Sequence, residues 1–243
     1  MTRQVLKSGD SVIVYDDTKV SQIRPNFFEP GHWQGADQTS GKSGGRGAAL
    51  YISHGGNDWV LRHYYRGGLP GKFLRDQFLW AGASRTRSLR EWDLLQLMTE
   101  KGLPVPVPVA ARYVRHGVFY TADLITEKLP GVMPFSSRLA AGSAPRELWQ
   151  GVGECIARFH RAGFCHADLN AHNLQVDEAG NCFLLDWDRG EWLMPGDWRR
   201  ANLARLHRSL RKLSRDGALT FASSDWDGLI QAYGAVRGDS ANN

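Results

Sequence analysis

Long apolar runs are missing from this 243-residue chain. No window approaches the roughly 18 to 20 uninterrupted apolar residues that a bilayer-spanning helix needs. The opening Met1-Thr-Arg-Gln-Val-Leu-Lys-Ser8 carries no apolar stretch of the signal-peptide kind, so the expectation is a chain that folds in the cytoplasm. Cysteine is scarce too. Cys155, Cys165 and Cys182 are odd in number and lack metal-ligand spacing, which speaks for reduced thiols rather than a disulfide framework or a zinc site. Acidic charge falls short of basic, with 25 Asp and Glu against 30 Lys and Arg, a formal charge of +5 and a pI near 9.2. An anionic partner follows, and nucleotide, nucleic acid or an acidic membrane surface would each satisfy it. The length is enough to bury a full core in one large domain or two small lobes.

What is there is concentrated in Phe164-Cys-His-Ala-Asp-Leu-Asn-Ala-His-Asn-Leu174 and in the apolar run Phe183-Leu-Leu185, which ends in Asp186-Trp-Asp188. The pattern H-x-D-x-x-x-x-N followed by a strand-terminal acid sets His166, Asp168, Asn173 and Asp186 at the spacing of a protein-kinase-like catalytic loop and metal strand. In that chemistry Asp168 accepts the proton of an attacking hydroxyl. Asn173 and Asp186 supply oxygens to the Mg²⁺ that neutralises the nucleotide phosphates. The flanks agree: a helical pattern through Leu148, Val152, Ile156 and Phe159 stops at Gly163, and the turn Asp177-Glu-Ala-Gly-Asn181 precedes a short strand. The bland alternative is a polar turn around a satisfied core histidine at 166.

Earlier in the chain, Gly35 to Gly47 is the most glycine-dense segment. Ala36-x-x-x-x-Gly41-Lys42-Ser43 fits a relaxed Walker A pattern. That loop needs a strand before it and a helix after it, whereas the preceding residues are polar and proline-broken and Ala48-Ala-Leu-Tyr-Ile52 reads as a strand. A kinase-type glycine-rich turn fits better, with the backbone N–H groups of Gly44, Gly45 and Gly47 over the phosphates; a flexible loop is the structural alternative. In Asp58-Trp-Val-Leu-Arg-His-Tyr-Tyr65, alternation puts Val60, Arg62 and Tyr64 on one face. Arg62 then stands where a kinase places its phosphate-pairing lysine. Ser88 to Met98 reads as a helix burying Leu94, Leu95 and Met98, and its Glu91 is suited either to pair with Arg62 or to complete a Ser88-x-x-Glu91 capping box. Phe119 to Glu127 alternates like a strand, and Leu129-Pro-Gly131 makes a lobe boundary. In a two-lobed nucleotide fold the backbone from Ile125 to Lys128, Glu127 included, would meet the adenine edge.

After Asp186 the chain reads Trp187-Asp-Arg-Gly-Glu-Trp-Leu-Met-Pro-Gly196 and is expected to go straight into a helix; there is no glycine following Trp187, no Ala-Pro-Glu and no segment long enough for an activation loop. This favours a constitutively formed small-molecule or glycolipid kinase over a regulated protein kinase. In that helix Leu203, Leu206, Leu210 and Leu213 form an apolar stripe, with Arg199, Arg200, Arg208, Arg211, Lys212 and Arg215 on or beside the rest. A solvated basic face and a face that meets anionic head groups are both compatible with it.

Val60-Leu-Arg-His-Tyr-Tyr-Arg-Gly-Gly68, Gly102-Leu-Pro-Val-Pro106, Ala122-Asp-Leu-Ile-Thr126, His166 to Asn173 and Leu185-Asp-Trp-Asp-Arg-Gly190 together resemble the 3-deoxy-D-manno-octulosonic acid (Kdo) kinases of Gram-negative lipopolysaccharide synthesis. The resemblance covers roughly residues 40 to 235. It implies an α+β, protein-kinase-like two-lobed fold. Residues 1–128 would form a small antiparallel-sheet lobe, with a glycine-rich loop at about 41–47 and a helix at about 85–101, and residues 129–243 a mainly helical catalytic lobe. It implies ATP-dependent, Mg²⁺-assisted phosphorylation of the 4-hydroxyl of Kdo on a lipid A precursor, by a peripheral protein on the cytoplasmic face of the inner membrane. Asp168 is then the base and Asn173 and Asp186 the metal ligands, while Arg62 departs from the usual lysine. The alternatives are a kinase of another acceptor, such as an inner-core heptose or an aminoglycoside, and a non-catalytic basic membrane-binding module. No nucleic-acid partner is expected, because no RNA-binding motif accompanies the basic helix.

Overall fold

Period-two alternation in the first half of the chain and period-3.6 alternation in the second divide the secondary structure accordingly. The computed structural model describes residues 2–33, 38–39, 49–66, 76–142 and 144–238. The expected phosphate turn at Gly44, Gly45 and Gly47 and the Walker-like Gly41-Lys42-Ser43 lie outside the described residues. The fold is mixed, with antiparallel sheets and five α-helices among the described residues. The chain separates into two compact units, Met1–Leu97 with Pro106–Lys128, and Met98–Val105 with Leu129–Asn243.

The first unit is built on one antiparallel sheet. Its strands are β1 (Arg3–Ser8), β2 (Ser11–Asp16), β3 (Gln38–Thr39), β4 (Ala49–His54), β5 (Asn57–His63), β6 (Phe78–Leu79), β7 (Pro108–His116) and β8 (Phe119–Glu127). Their order is β1-β2-β7-β8-β5-β4-β3, with β6 also pairing β8. Inward-facing Ile13, Leu50, Ile52, Trp59, Leu61 and Ile125 form its core. Because β5 lies between β4 and β8, the backbone of Arg62 is held on both sides, opposite Ala49 and Leu124. Helix α1 (Arg87–Glu100) buries Leu89, Trp92, Leu95 and Met98, whereas Leu94 is only half-buried. The expected burial of Leu94 thus gives way to Trp92, whose larger ring takes the i−3 place below Leu95.

In the second unit β9 (Met133–Pro134) leads into α2 (Phe135–Ala140) and then α3 (Arg146–Arg161). The expected stripe on α3 is buried at Leu148, Val152, Ile156 and Phe159. The helix ends at Gly163, whose φ of +86° favours glycine and whose missing Cβ makes room for Trp192 Nε1 and the Leu193 carbonyl. β10 (Phe164–Cys165) follows, then β11 (Leu174–Val176) and β12 (Cys182–Leu184), which pair antiparallel with each other while β9 pairs β11. Before the next helix the chain inserts β13 (Glu191–Trp192), paired with β10. The helix expected directly after Gly196 begins at Trp198, whereas the two-residue strand before it was not expected, because so short a pairing leaves no alternation to read. Helices α4 (Trp198–Arg215) and α5 (Ser223–Gly238) complete the unit. α3 and α5 pack so closely that a Cβ on Gly153 would stand 2.2 Å from the Leu229 carbonyl oxygen.

Candidate active site

In the second unit, the loop between β10 and β11 is closed by its own side chains. Asn170 Oδ1 accepts from the backbone N–H groups of His172 and Asn173 at 2.9 and 3.1 Å, an Asx-type turn that Asn can make without an apolar anchor. The Asp168 carbonyl accepts from Asn170 Nδ2 at 2.9 Å and from Asn173 Nδ2 at 3.0 Å. Asn173 is therefore tied to Asp168 across the loop. Its own carbonyl accepts from the Leu185 N–H at 2.9 Å, which brings Asn173 beside the residue preceding Asp186.

His166 closes the remaining side. Its Nε2 donates to the Leu185 carbonyl at 2.7 Å while Nδ1 accepts from the Asp168 N–H at 3.2 Å, an arrangement that only the neutral ring satisfies. Burial accordingly pushes its pKa below the ordinary imidazole value, against the opposing pull of the Leu185 carbonyl and the charges of Asp186 and Asp168. His166 is a buried strut, whereas the Asp168 side chain is 64 % exposed and Asp186 is exposed as well. Asp186 has φ +63°, the one left-handed non-glycine residue among those described. A short polar side chain tolerates this at about 1 kcal/mol. Trp187 holds the turn: its indole donates to the Leu184 carbonyl at 3.0 Å and its buried ring packs on Phe159 and His166.

Two residues that sequence reasoning did not single out also reach the loop. Asn202 on α4 donates to the His166 carbonyl at 2.6 Å and accepts from His160 Nε2 at 3.0 Å, and His160 Nδ1 meets the Tyr233 hydroxyl at 3.0 Å. This buried chain ties α3, α4 and α5 to the loop backbone. The available signal was one carboxamide on the same buried face of α4 as Leu203, Leu206 and Leu210. Arg205, one turn on, stands 3.8 Å from Asp168 Oδ1 with its side chain 49 % exposed. Its number in the basic helix gave no hint of that neighbour.

In the first unit, Arg62 Nη2 bonds Glu91 Oε1, and the Tyr64 hydroxyl donates to Glu91 Oε2 at 2.6 Å. Burial, reinforced by the Glu91 charge, pushes the Tyr64 hydroxyl well above the usual range and keeps it a donor. Ser88 lies inside α1 and its hydroxyl donates to the Arg112 carbonyl at 2.8 Å. Of the two roles open to Glu91, the structure contains the ion pair, and Ser88 lies inside the helix rather than at its cap. Glu127 lies at the end of β8, its N–H donating to the Val107 carbonyl at 2.8 Å and its carboxylate 2.7 Å from Lys19.

A second charged cluster in this unit sets a pH dependence. His63 contacts Asp123 at 2.6 Å and Asp76 at 3.2 Å, and Asp123 also accepts from Arg112 Nε at 2.8 Å. Burial pulls the His63 pKa down, but hydrogen bonds and charge from Asp123 and Asp76 outweigh it and leave the imidazole above its ordinary value. A raised folded-state value stabilises fully below the unfolded value of about 6.5 and is lost as pH climbs through the folded one. The expected result is a melting temperature that falls as pH rises above about 6.5. His63→Gln should flatten that fall, and equal slopes in both proteins would contradict the assignment.

Comparison with known proteins identifies the family of the chain. The lipopolysaccharide kinase (Kdo/WaaP) family model matches residues 31–233. A 3-deoxy-D-manno-octulosonic acid kinase of Stenotrophomonas maltophilia (strain R551-3) is 44 % identical over 228 residues, covering 93 % of this chain and 90 % of that protein. Proteins of the same description from Xanthomonas campestris pv. campestris (strain B100) and Xylella fastidiosa (strain M23) are 42 % and 40 % identical, over 93 % and 92 % of this chain and 90 % of each relative. With the family matched over most of its length, this chain belongs to the lipopolysaccharide kinase (Kdo/WaaP) family and is a phosphotransferase that acts on an alcohol.

Proposed function

We propose that this kinase transfers the γ-phosphate of ATP to the 4-hydroxyl of Kdo on a Kdo-lipid A precursor such as Kdo-lipid IVA, working as a peripheral protein on the cytoplasmic face of the inner membrane. The observation that carries the reading is the hydrogen-bonded closure of His166, Asp168, Asn173 and Leu185-Asp186. It occurs in a chain 40 to 44 % identical to proteins named 3-deoxy-D-manno-octulosonic acid kinases. No described helix is long and apolar enough to cross a membrane, which is compatible with peripheral attachment.

In this mechanism the Asp168 carboxylate takes the proton of the acceptor hydroxyl as that oxygen bonds to the γ-phosphorus. The bond from phosphorus to the bridging oxygen breaks, and its electron pair leaves with ADP. A positioned base contributes about 10² to 10⁴ in rate. Arg205 beside it offers a cation to the carboxylate of an octulosonic acid. Asn173 and Asp186 are suited to hold Mg²⁺, which when bound offsets the phosphate charge. The donor set fits that ion: the Asn173 Nδ2 is committed to the Asp168 carbonyl, so Oδ1 is the atom its amide offers, next to one exposed carboxylate. Among the described residues no group of three or more His, Cys, Asp or Glu is arranged for a metal, so phosphate and water oxygens would complete the shell. Arg62 would pair with nucleotide phosphate through its fork, held by Glu91. The backbone of Gly44, Gly45 and Gly47 is proposed for the triphosphate and, with the Glu127 N–H taken by the Val107 carbonyl, the Glu127 carbonyl is proposed for the adenine edge.

An acceptor panel with γ-labelled ATP tests this reading. Label on Kdo-lipid IVA, mapped to the 4-position, is the expected result; label only on a heptose-bearing core or an aminoglycoside would overturn it. Asn202→Ala probes how the loop is held. It removes the donor to the His166 carbonyl and the acceptor for His160, at a cost of about 2 kcal/mol in stability. Turnover should fall by about tenfold to a hundredfold through loss of alignment, with KM for ATP nearly unchanged. Unchanged kcat would make the network structural only.

A further inference from the structure

The outward face of α4 carries charge of one sign. From Ala201 to Arg215 every exposed residue is alanine, arginine or lysine: Ala201, Ala204, Arg205, Arg208, Arg211, Lys212 and Arg215. No acid occurs between Asp197 and Asp216. Spacings of three and four residues keep these on one strip of the helix, and Trp198, Arg205 and Lys212, seven apart, fall nearly in line. The strip therefore begins at Trp198. The Trp198 indole donates to the Met194 carbonyl at 2.7 Å, which seats Met194 at the head of the strip with 73 % of its surface exposed.

Two residues before it, Trp192 is 57 % exposed although its indole N–H is satisfied by the Ala162 carbonyl at 3.1 Å. The ring is thus held by the protein at its polar edge. Large exposed apolar side chains, one of them a tryptophan, adjoining a row of cations make the composition of an interfacial anchor: apolar groups enter the acyl boundary and cations meet anionic head groups. Trp192 is paired with Phe164, two residues before His166, so the anchor adjoins the loop that carries Asp168.

We propose that Trp192, Met194 and the basic strip of α4 form the docking surface of this protein for an anionic lipid bilayer, presenting the Asp168 loop to a glycolipid within it. The charge complementarity selects an anionic membrane over a neutral one. The exposed Trp and Met at the head of the strip favour a membrane over nucleic acid, for which interleaved stacking residues along the basic face are expected. The purpose of the surface rests on the lipid acceptor proposed above; its existence does not.

Co-sedimentation with phosphatidylglycerol vesicles and with phosphatidylcholine vesicles tests the surface, in parallel with phosphotransfer to Kdo-lipid IVA in detergent micelles. The wild type should bind the anionic vesicles, release them at high salt and ignore the neutral ones. Arg208→Glu/Arg211→Glu/Lys212→Glu alters three exposed side chains, and each cation near a bilayer contributes about fivefold to partitioning, so binding should weaken by at least about a hundredfold. Met194→Glu should weaken binding as well, and both variants should keep wild-type turnover in micelles. Vesicle binding unchanged in both variants, or binding to an RNA oligomer but not to vesicles, would overturn the proposal. Vesicle binding lost in both variants, with no turnover on Kdo-lipid by any of the proteins, would uphold the surface and sink the acceptor assignment instead.

Discussion

Asp168→Asn should abolish phosphate transfer while leaving a folded protein that still binds nucleotide. The side chain is 64 % exposed and its ionic neighbour among the described residues is the half-exposed Arg205 at 3.8 Å, a pair worth at most about 1 kcal/mol to stability. The backbone contacts that close the loop run through the Asp168 carbonyl and N–H, which the substitution retains. What disappears is the proposed proton acceptor, and the expected loss in kcat is about 10² to 10⁴. Steady-state kinetics together with nucleotide titration check this. Turnover within a few-fold of wild type would remove Asp168 from the chemistry.

The largest expected effect on stability comes from a glycine. A Cβ on Gly153 would lie 2.2 Å from the Leu229 carbonyl oxygen and 3.2 Å from the Tyr233 nitrogen, both of them backbone atoms of α5. No side-chain rotation relieves that overlap, so Gly153→Ala must push α5 away from α3. Overpacking of this kind costs about 3 kcal/mol or more, which lowers the melting temperature by about 6 to 12 °C in a chain of this size. Tyr233 also contacts the His160 that supports Asn202, so a displaced α5 should disturb the loop and reduce turnover as well. Thermal unfolding measures the first effect. A melting temperature within about 2 °C of wild type would mean that the helices are not so closely apposed.

The residues proposed for the chemistry were the ones most legible in the sequence. His166, Asp168, Asn173 and Asp186 stand at a spacing that no helix or strand period produces, and apolar patterns on either side supplied their context. α3 was equally readable, because Leu148, Val152, Ile156 and Phe159 repeat at the helical period. Supporting contacts were harder to read. Asn202 acts on a residue 36 positions earlier, and Arg205 approaches Asp168 only because α4 folds back across β10. Neither relation leaves a local pattern. Glu91 presented two sequence-compatible roles, and the choice depended on where α1 begins: one residue before Ser88, which turns Ser88 inward to the Arg112 carbonyl and leaves Glu91 to Arg62 and Tyr64. β13 escaped notice because two residues pair with β10 by proximity alone.

The most direct test of the account is a crystal of the protein with Mn²⁺ and a non-hydrolysable ATP analogue, examined for anomalous scattering. A manganese peak bonded to Asn173 Oδ1 and the Asp186 carboxylate, with the γ-phosphate facing Asp168, is the expected result. A peak held by other side chains, with Asn173 and Asp186 making no contact to it, would contradict the account.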